Sequence, residues 1–277
     1  MIQTLAILIS LLSIIIKCDS YISFNANNAK FRAKSIMESP KDVVDGVVSS
    51  IPKGSIIVIK YGGHAMEDQS LAKFFCEDVA ELKRIGLCPV VVHGGGPQIK
   101  AMLADLNVES NFVNGLRVTT PETMQVVQMV LCGMLNKNIV GAISSQVDIP
   151  GAIGLSGLDG GLIKARRISE ALGLVGEPLS VEVPILKGII DLGMVPVIAP
   201  IGMEQRAEGE SVALNINADT AAGAVAAALG AHTLLMMTDI VIIIVMTCCY
   251  YHHSLWVHRA VFFAGLRVVA NAFTGNN

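Results

Sequence analysis

Two clusters of glycine follow apolar segments of the chain and could bind a phosphate group. Gly62–Gly63 comes after Lys60, and Gly94–Gly96 comes after His93. Consecutive glycines let backbone N–H groups point into one cavity, where no Cβ blocks a phosphate. Neither cluster has the spacing of a P-loop or of a dinucleotide-binding fingerprint. The alternative is that each cluster is an ordinary tight turn between a strand and a helix. We expect His93 to shape the turn at Gly94–Gly96.

Lys60 ends an apolar run, Ile56 to Ile59, that has the composition of a buried strand. Burying a lysine there without a partner would be costly. Beside a cradle of N–H groups, its ammonium could neutralise a phosphoryl group during transfer. The alternative is a solvated lysine at the end of a strand.

Three further polar side chains could complete a site. Asn215 and Asp219 precede an alanine-rich helix, and Arg117 follows the turn Asn114-Gly115. Asp219 could orient lysines or help to hold a metal, although Asn217 or Asp219 could instead cap the helix. An arginine fork suits a substrate carboxylate, although an isolated arginine more often lies on the surface.

The elements that must position these residues alternate along the chain. Strands and helices in alternation predict an α/β fold, in which a mostly parallel sheet has helices on both faces. Ligands bind at the carboxyl ends of the strands in such a sheet. The turn Gly157–Gly161 fits a hairpin. The predicted strands are 55–59, 89–92, 151–155, 163–166, 174–183, 195–198 and 233–238, and the predicted helices are 68–84, 98–106, 121 to beyond 140, 185–192 and 217–229.

Composition excludes several classes of protein. The 277 residues include 20 Lys+Arg and 23 Asp+Glu, so no basic excess exists to bind a nucleic acid. A hydrophobic content of 52% is too high for a disordered chain. The six cysteines form no C-x-x-C pair, so they match neither a zinc site nor a disulfide framework.

Both ends of the chain differ from its middle. Within residues 1–37, residues 1–16 form an uncharged apolar run and residues 21–35 form an acid-free, Asn- and Ser-rich segment. This order predicts a signal peptide followed by a transit-like segment, and hence a plastid; the alternatives are a signal anchor, a mitochondrion or the secretory route. Residues 240–277 form a hydrophobic tail without Lys, Asp or Glu, for which a membrane helix is an alternative. The catalytic domain is expected at 38–239.

Six motifs in chain order resemble the acetylglutamate kinases, a branch of the amino acid kinase family. They are IKYGGHAM (59–66), VVHGGGPQI (91–99), NGLRVT (114–119), GLSGLDGGLIKAR (154–166), VPVIAPIG (195–202) and LNINADTAAGAVA (214–226). The resemblance implies a three-layer α/β/α sandwich around a mostly parallel sheet. It also implies transfer of the γ-phosphoryl group of ATP, carried with Mg²⁺, to the side-chain carboxylate of N-acetyl-L-glutamate in arginine biosynthesis.

The resemblance also implies roles for individual residues. Lys60 would stabilise the transition state and Asp219 would organise the catalytic lysines. Arg117 would bind the α-carboxylate of acetylglutamate. The phosphoryl oxygens would be contacted by Lys60, Gly62, Gly63 and Gly94. Acetylglutamate would be held by Gly95, Gly96, Arg117 and Asn215.

Partners and alternatives follow from the same resemblance. Some members are homo-oligomers, and photosynthetic ones can bind the signalling protein PII. Similarity ends near Ile240, and the tail has no lysine to serve as the family's second catalytic lysine. We therefore expect a truncated or altered kinase with an incomplete nucleotide-binding half. The alternatives are a catalytically dead subunit that binds acetylglutamate, a family kinase for glutamate or carbamate, and a membrane protein anchored by the tail.

Overall fold

The computed structural model describes residues 51–62, 66, 68–205 and 209–237, together with the backbone of Ile244–Met246. The chain divides into two compact units, Met1–Lys53 and Gly54–Asn277, and nearly all described residues belong to the second. The targeting segment predicted at 1–37 lies outside the described residues. So does the predicted tail at 240–277, apart from that short backbone stretch.

A six-stranded sheet forms the centre of the second unit. Its strands are β1 (Ile56–Tyr61), β2 (Cys88–His93), β5 (Ala152–Ser156), β8 (Val195–Ala199), β11 (Thr233–Met236) and β12 (Ile244–Met246). They lie in the order β12-β11-β1-β2-β8-β5, in which five strands are parallel and β12 runs antiparallel to β11 at one edge. The apolar runs of the sequence are buried here, which confirms the predicted mostly parallel sheet.

In the described part of the chain five helices connect the strands, and each starts where the sequence favours a helix start. Asp68 caps the first and Asn217 caps the last, while Pro97, Pro121 and Pro184 lie in the first turns of the others. The helices are α1 (Gln69–Arg84), α2 (Gly96–Asp105), α3 (Pro121–Ser144), α4 (Val183–Asp191) and α5 (Ala218–Leu229).

Helix α3 has an irregular centre. Its residues Met129–Leu135 form a π-helical segment between two α-helical halves. Of the described helices, α3 alone is long and apolar enough to cross a membrane by length and composition. Its Val127, Val130 and Ile143 are fully buried in the domain core, as expected of a core helix.

Helices cover both faces of the sheet, so the predicted three-layer arrangement is confirmed. Val58, Val90 and Ile198 pack in one core cluster with the alanine-rich side of α5 and with α4. Side chains alternate along a strand, so the neighbouring residues of these strands face the other layer, where α1 and α3 lie. The small side chains Ala221, Ala222 and Ala226 are fully buried and bring α5 close to the sheet.

A second, smaller sheet consists of four strands, β6 (Ile163–Arg167), β7 (Val175–Val181), β9 (Ile201–Gln205) and β10 (Ser211–Ile216). It closes on itself in the order β10-β7-β6-β9. No strand is predicted between Pro200 and α5, but the structure has β9 and β10 there; the alternation of Val212, Leu214 and Ile216 was the available signal. The hairpin prediction for Gly157–Gly161 is wrong, because this turn carries the chain from β5 in the main sheet to β6 in the small one.

A short hairpin completes the described fold. It consists of β3 (Phe112–Val113) and β4 (Leu116–Arg117), paired antiparallel. Asn114 and Gly115 form its turn, and both have positive φ angles, 50° and 79°. These are the residue types that tolerate the left-handed region, so the sequence of the turn matches its conformation.

Gly154 on β5 is required for close packing of α3. A Cβ at this position would overlap Asn136 Oδ1 and lie 2.8 Å from Lys137 Nζ and 2.9 Å from Val140 Cγ2. We predict that Gly154→Ala lowers the free energy of unfolding by about 1–3 kcal/mol, because the methyl group must displace these atoms. Urea denaturation measures the change.

The matched control is Gly188→Ala on the exposed side of α4, where a Cβ would meet no atom within 4 Å. This change should raise the free energy of unfolding by roughly 0.5–1 kcal/mol, because alanine favours a helix. Equal effects of the two substitutions would contradict the packing that we describe at Gly154.

Candidate functional site

The two glycine clusters lie side by side because β1 and β2 are parallel neighbours. Their last residues, Tyr61 and His93, are paired in the register of the sheet. Each strand therefore delivers its turn to the same edge, where a cavity of about 510 Å³ opens. Its lining contains the predicted site residues Lys60, Gly62, Gly94, Gly95, Gly96, Arg117, Asn215 and Asp219. Gly63 lies outside the described residues.

Lys60 and Asp219 form an ion pair in this cavity. Lys60 Nζ lies 3.0 Å from Asp219 Oδ1, and the two side chains are 12% and 49% exposed. The carboxylate thus provides the partner that a largely buried lysine needs. Asn217 caps α5, since its Oδ1 accepts the N–H groups of Asp219 and Thr220 at 2.9 and 3.1 Å. Asp219 is therefore free of the capping role and faces Lys60.

The glycines differ in what their missing side chains allow. At Gly62 a Cβ would lie 3.3 Å from Lys60 Nζ, so the absent side chain leaves room beside the ammonium. At Gly95 a Cβ would lie 2.5 Å from Leu135 Cδ1 and 2.6 Å from Leu131 Cδ2, so α3 packs directly under the turn. A Cβ at Gly96 would meet no protein atom within 4 Å. This glycine is therefore not required by packing.

Gly94 is already hydrogen-bonded within the protein. Its N–H donates to the carbonyl of Tyr61 at 2.6 Å, which continues the pairing of β1 and β2 beyond the strands. This bond differs from the phosphate contact expected for the Gly94 N–H. A Cβ placed on Gly94 would lie 3.6 Å from the Cα of Gly62. Glycine at this position therefore keeps the space between the two turns free of a side chain.

Helix α2 begins at the cavity. Gly96 and Pro97 form its first turn and both line the cavity. The first N–H groups of a helix have no acceptor within the helix, and they give its N-terminus a partial positive charge. An anion in the cavity would meet this N-terminus and the Lys60 ammonium together.

Arg117 lies on β4 and is held by three contacts. Its guanidinium donates to the Ser110 hydroxyl and, at 3.2 Å, to the Gly96 carbonyl. It also lies 4.6 Å from the centre of the Phe112 ring. Arg117 is buried, and this burial lowers the pKa of its guanidinium. An anionic ligand in the cavity would therefore be favoured beside it.

Thr119 links Arg117 to Asn215. Its hydroxyl is fully buried, donates to the Arg117 carbonyl at 2.8 Å and accepts from Asn215 Nδ2 at 3.2 Å. Asn215 lies near the end of β10, where its N–H donates to the Leu174 carbonyl at 2.8 Å. The structure thus joins two candidate substrate-binding side chains that are distant in sequence.

Lys100 is a cavity residue that the sequence analysis missed. It lies one helical turn after Gly96 on α2 and is exposed at the cavity. Its position four residues after Gly96 was the sequence signal that could have placed it beside the glycine turn. Among the described residues no group of three His, Cys, Asp or Glu side chains could hold a metal ion.

A family model and several curated proteins match this chain. The model of the amino acid kinase family matches residues 55–242. An acetylglutamate kinase of Acidiphilium cryptum is 47% identical over 66% of this chain and 63% of its own length. Another, of an Arthrobacter species, is 45% identical over 75% of this chain and 71% of its own length. The chain thus spans about two thirds of these relatives.

Solved structures show the same fold. A Streptococcus mutans protein has 30% sequence identity and a TM-score of 0.59, over 67% of this chain and 73% of its own. An N-acetylglutamate synthase of Neisseria gonorrhoeae, 22% identical, has a TM-score of 0.56 over 67% of this chain and 42% of its own. Since the family model covers more than half of the residues and the relatives share nearly half of the aligned ones, the chain belongs to the amino acid kinase family.

Proposed function

We propose that this protein transfers the γ-phosphoryl group of ATP to the side-chain carboxylate of N-acetyl-L-glutamate, a step of arginine biosynthesis. One observation carries the proposal: a single cavity combines a phosphate-binding arrangement with a buried arginine suited to a carboxylate. The similarity to proteins named acetylglutamate kinase supports the choice of substrate.

In the proposed reaction an oxygen of the substrate carboxylate attacks the γ-phosphorus. The new O–P bond forms while the bond to the β-phosphate oxygen breaks, so the products are an acyl phosphate and ADP. No covalent bond to the protein is needed, and catalysis consists of positioning and charge stabilisation. The Lys60 ammonium, oriented by Asp219 at 3.0 Å, neutralises charge on the transferring group.

The described residues fit the phosphates of ATP. The room beside Lys60 at Gly62 and the N-terminus of α2 both favour an anion. Mg²⁺ would be bound by the ATP phosphates, whose negative charge it offsets. Asp219 is the one carboxylate in the described lining of the cavity, and it is paired with Lys60.

The charges of the cavity favour acetylated over free glutamate. A free α-ammonium would need an acidic partner, and the only carboxylate in the described lining is engaged by Lys60. An acetylated nitrogen is uncharged and needs only an amide partner. We propose that Arg117 binds the α-carboxylate and that Asn215, Gly95 and Gly96 contact the rest of acetylglutamate.

We also propose a cellular location and protein partners. The composition of residues 1–37 supports delivery to a plastid, and the family resemblance supports a homo-oligomer that binds the signalling protein PII. A fluorescent fusion of residues 1–37 tests the first, and light scattering with and without PII tests the second.

ADP release in the presence of ATP and Mg²⁺ tests the central proposal. With the family's nucleotide-binding half in place of residues 240–277, we expect turnover with N-acetyl-L-glutamate and little with L-glutamate or carbamate, and the kinetic variants are compared in the same protein. Preference for an unacetylated substrate would overturn the substrate assignment. Calorimetric binding of acetylglutamate without turnover would favour the alternative of a subunit that binds the substrate but does not phosphorylate it.

Lys60→Ala should lower kcat by roughly two or more orders of magnitude, because it removes one preorganised charge from the transferring phosphoryl group. Steady-state kinetics with acetylglutamate measure the effect. The control is Lys187→Ala, which removes an exposed lysine of α4. A near-normal kcat in Lys60→Ala would refute the proposed role.

Arg117→Ala should raise KM for acetylglutamate about tenfold or more, because a charged hydrogen bond to a non-reacting carboxylate is lost. KM for ATP should change much less. Arg166→Ala serves as the control, since it removes an arginine that pairs with Glu177 on the surface of the small sheet. An unchanged KM for acetylglutamate would exclude Arg117 from the substrate site.

A further inference from the structure

The side chain of His93 lies under the second glycine turn and is fully buried. Its Nδ1 lies 2.8 Å from the carbonyl oxygen of Gly94, and its Nε2 lies 3.2 Å from Nδ2 of Asn136 on α3. Asn136 is only 1% exposed. The proposed reaction uses neither side chain directly, although both are polar groups held in the core beside the cavity.

The surroundings of Asn136 determine which way its amide points. Nδ2 also lies 3.0 Å from the Val197 carbonyl oxygen and 3.4 Å from that of Leu155, and Oδ1 accepts from Lys137 Nζ at 3.1 Å. Lys137 Nζ in turn donates to the Gly154 carbonyl at 3.1 Å. The two amide N–H groups have their nearest acceptors in Val197 and His93, so Nε2 accepts; the Gly94 carbonyl, which can only accept from Nδ1, requires the same tautomer.

This assignment leaves one neutral tautomer for His93. With Nε2 as the acceptor, the proton lies on Nδ1, which donates to the Gly94 carbonyl. Burial lowers the pKa of His93 to about 4, so the ring is neutral near pH 7. Lys137, Asn136, His93 and the Gly94 carbonyl thus form one continuous chain of hydrogen bonds.

The chain of bonds fixes the peptide between Gly94 and Gly95. In a trans peptide the N–H points opposite to the C=O. Since the Gly94 carbonyl points to the His93 ring, the Gly95 N–H points away from that ring. Leu131 and Leu135 hold the same residue from the side of α3, because a Cβ on Gly95 would lie within 2.6 Å of both.

We propose that His93 and Asn136 are positioning residues, which hold the Gly94–Gly95 peptide in the orientation that presents the Gly95 N–H to the bound substrate. This inference rests on the proposed phosphoryl transfer and adds to it two residues that act through the backbone. The π-helical segment Met129–Leu135 supplies the leucines, and Asn136 follows it directly. One irregular part of α3 therefore provides both the packing and the polar contact.

The test compares two substitutions at His93. Asn places an amide N–H near the position of Nδ1, whereas Leu offers no donor. We expect His93→Leu to lower kcat/KM for acetylglutamate about tenfold or more, since small displacements of a positioning group are costly. His93→Asn should stay within about threefold of the natural protein. Asn136→Leu should resemble His93→Leu.

Loss of stability needs its own control, because all three changes lie in the core. Ile143→Ala removes a fully buried apolar side chain, which makes none of the network's hydrogen bonds, from the same helix. It should lower Tm at least as much as His93→Leu does, yet keep a near-normal kcat/KM at a temperature where both variants are folded. Equal activity in His93→Leu and His93→Asn, or activity that follows Tm across the set, would overturn the inference.

A spectroscopic measurement separates this inference from the proposed function. In protein labelled with ¹⁵N-histidine, the His93 Nδ1 should have the chemical shift of a protonated nitrogen and Nε2 that of an unprotonated one. The opposite tautomer would overturn the inference even in an active enzyme. If the protein with the family's nucleotide-binding half showed the expected tautomer but no phosphoryl transfer, the proposed function would be wrong, and the His93 network would have no role in catalysis.

Discussion

The ion pair between Lys60 and Asp219 is the interaction around which the site is arranged. A lysine at the buried end of β1 needs an acidic partner, and that partner must come from another layer of the fold. Asp219 reaches it because Asn217 caps α5 and the alanines of α5 let the helix approach the sheet closely. The composition of α5 thus places the Asp219 carboxylate beside the ammonium of Lys60, which belongs to a strand of the neighbouring layer.

The parallel pairing of β1 and β2 has a similar effect on the backbone. It places two glycine turns next to each other without a long-range side-chain contact, since the register alone joins Tyr61 to His93. The two sides of the cavity are held by different interactions. The side near Lys60 relies on backbone and one ion pair, whereas the side near Arg117 relies on a buried guanidinium linked through Thr119 to Asn215.

Sequence patterns predicted the main sheet and its helices because the apolar runs and the caps are local signals. The motifs also indicated Lys60, Arg117, Asn215 and Asp219 as candidate site residues, and the structure places all four at one cavity. They did not decide whether Asp219 caps α5 or pairs with Lys60, since that depends on a contact across 159 positions of chain between residues 60 and 219. They also missed Lys100, which has no motif of its own, and the network of His93, in which the hydrogen bonds reach three other elements.

The π-helical segment of α3 constrains how this helix can vary. A π-helical turn closes its hydrogen bonds between residues i and i+5, so it holds about one residue more than an α-helical turn. Removing one residue between Met129 and Leu135 would therefore give a regular α-helix and leave the two flanking halves close to their present orientation. Asn136 would stay beside His93, whereas the leucines within the segment would shift relative to Gly95. A deletion here would thus separate the two contributions of α3 to the glycine turn, keeping the polar contact and changing the apolar one.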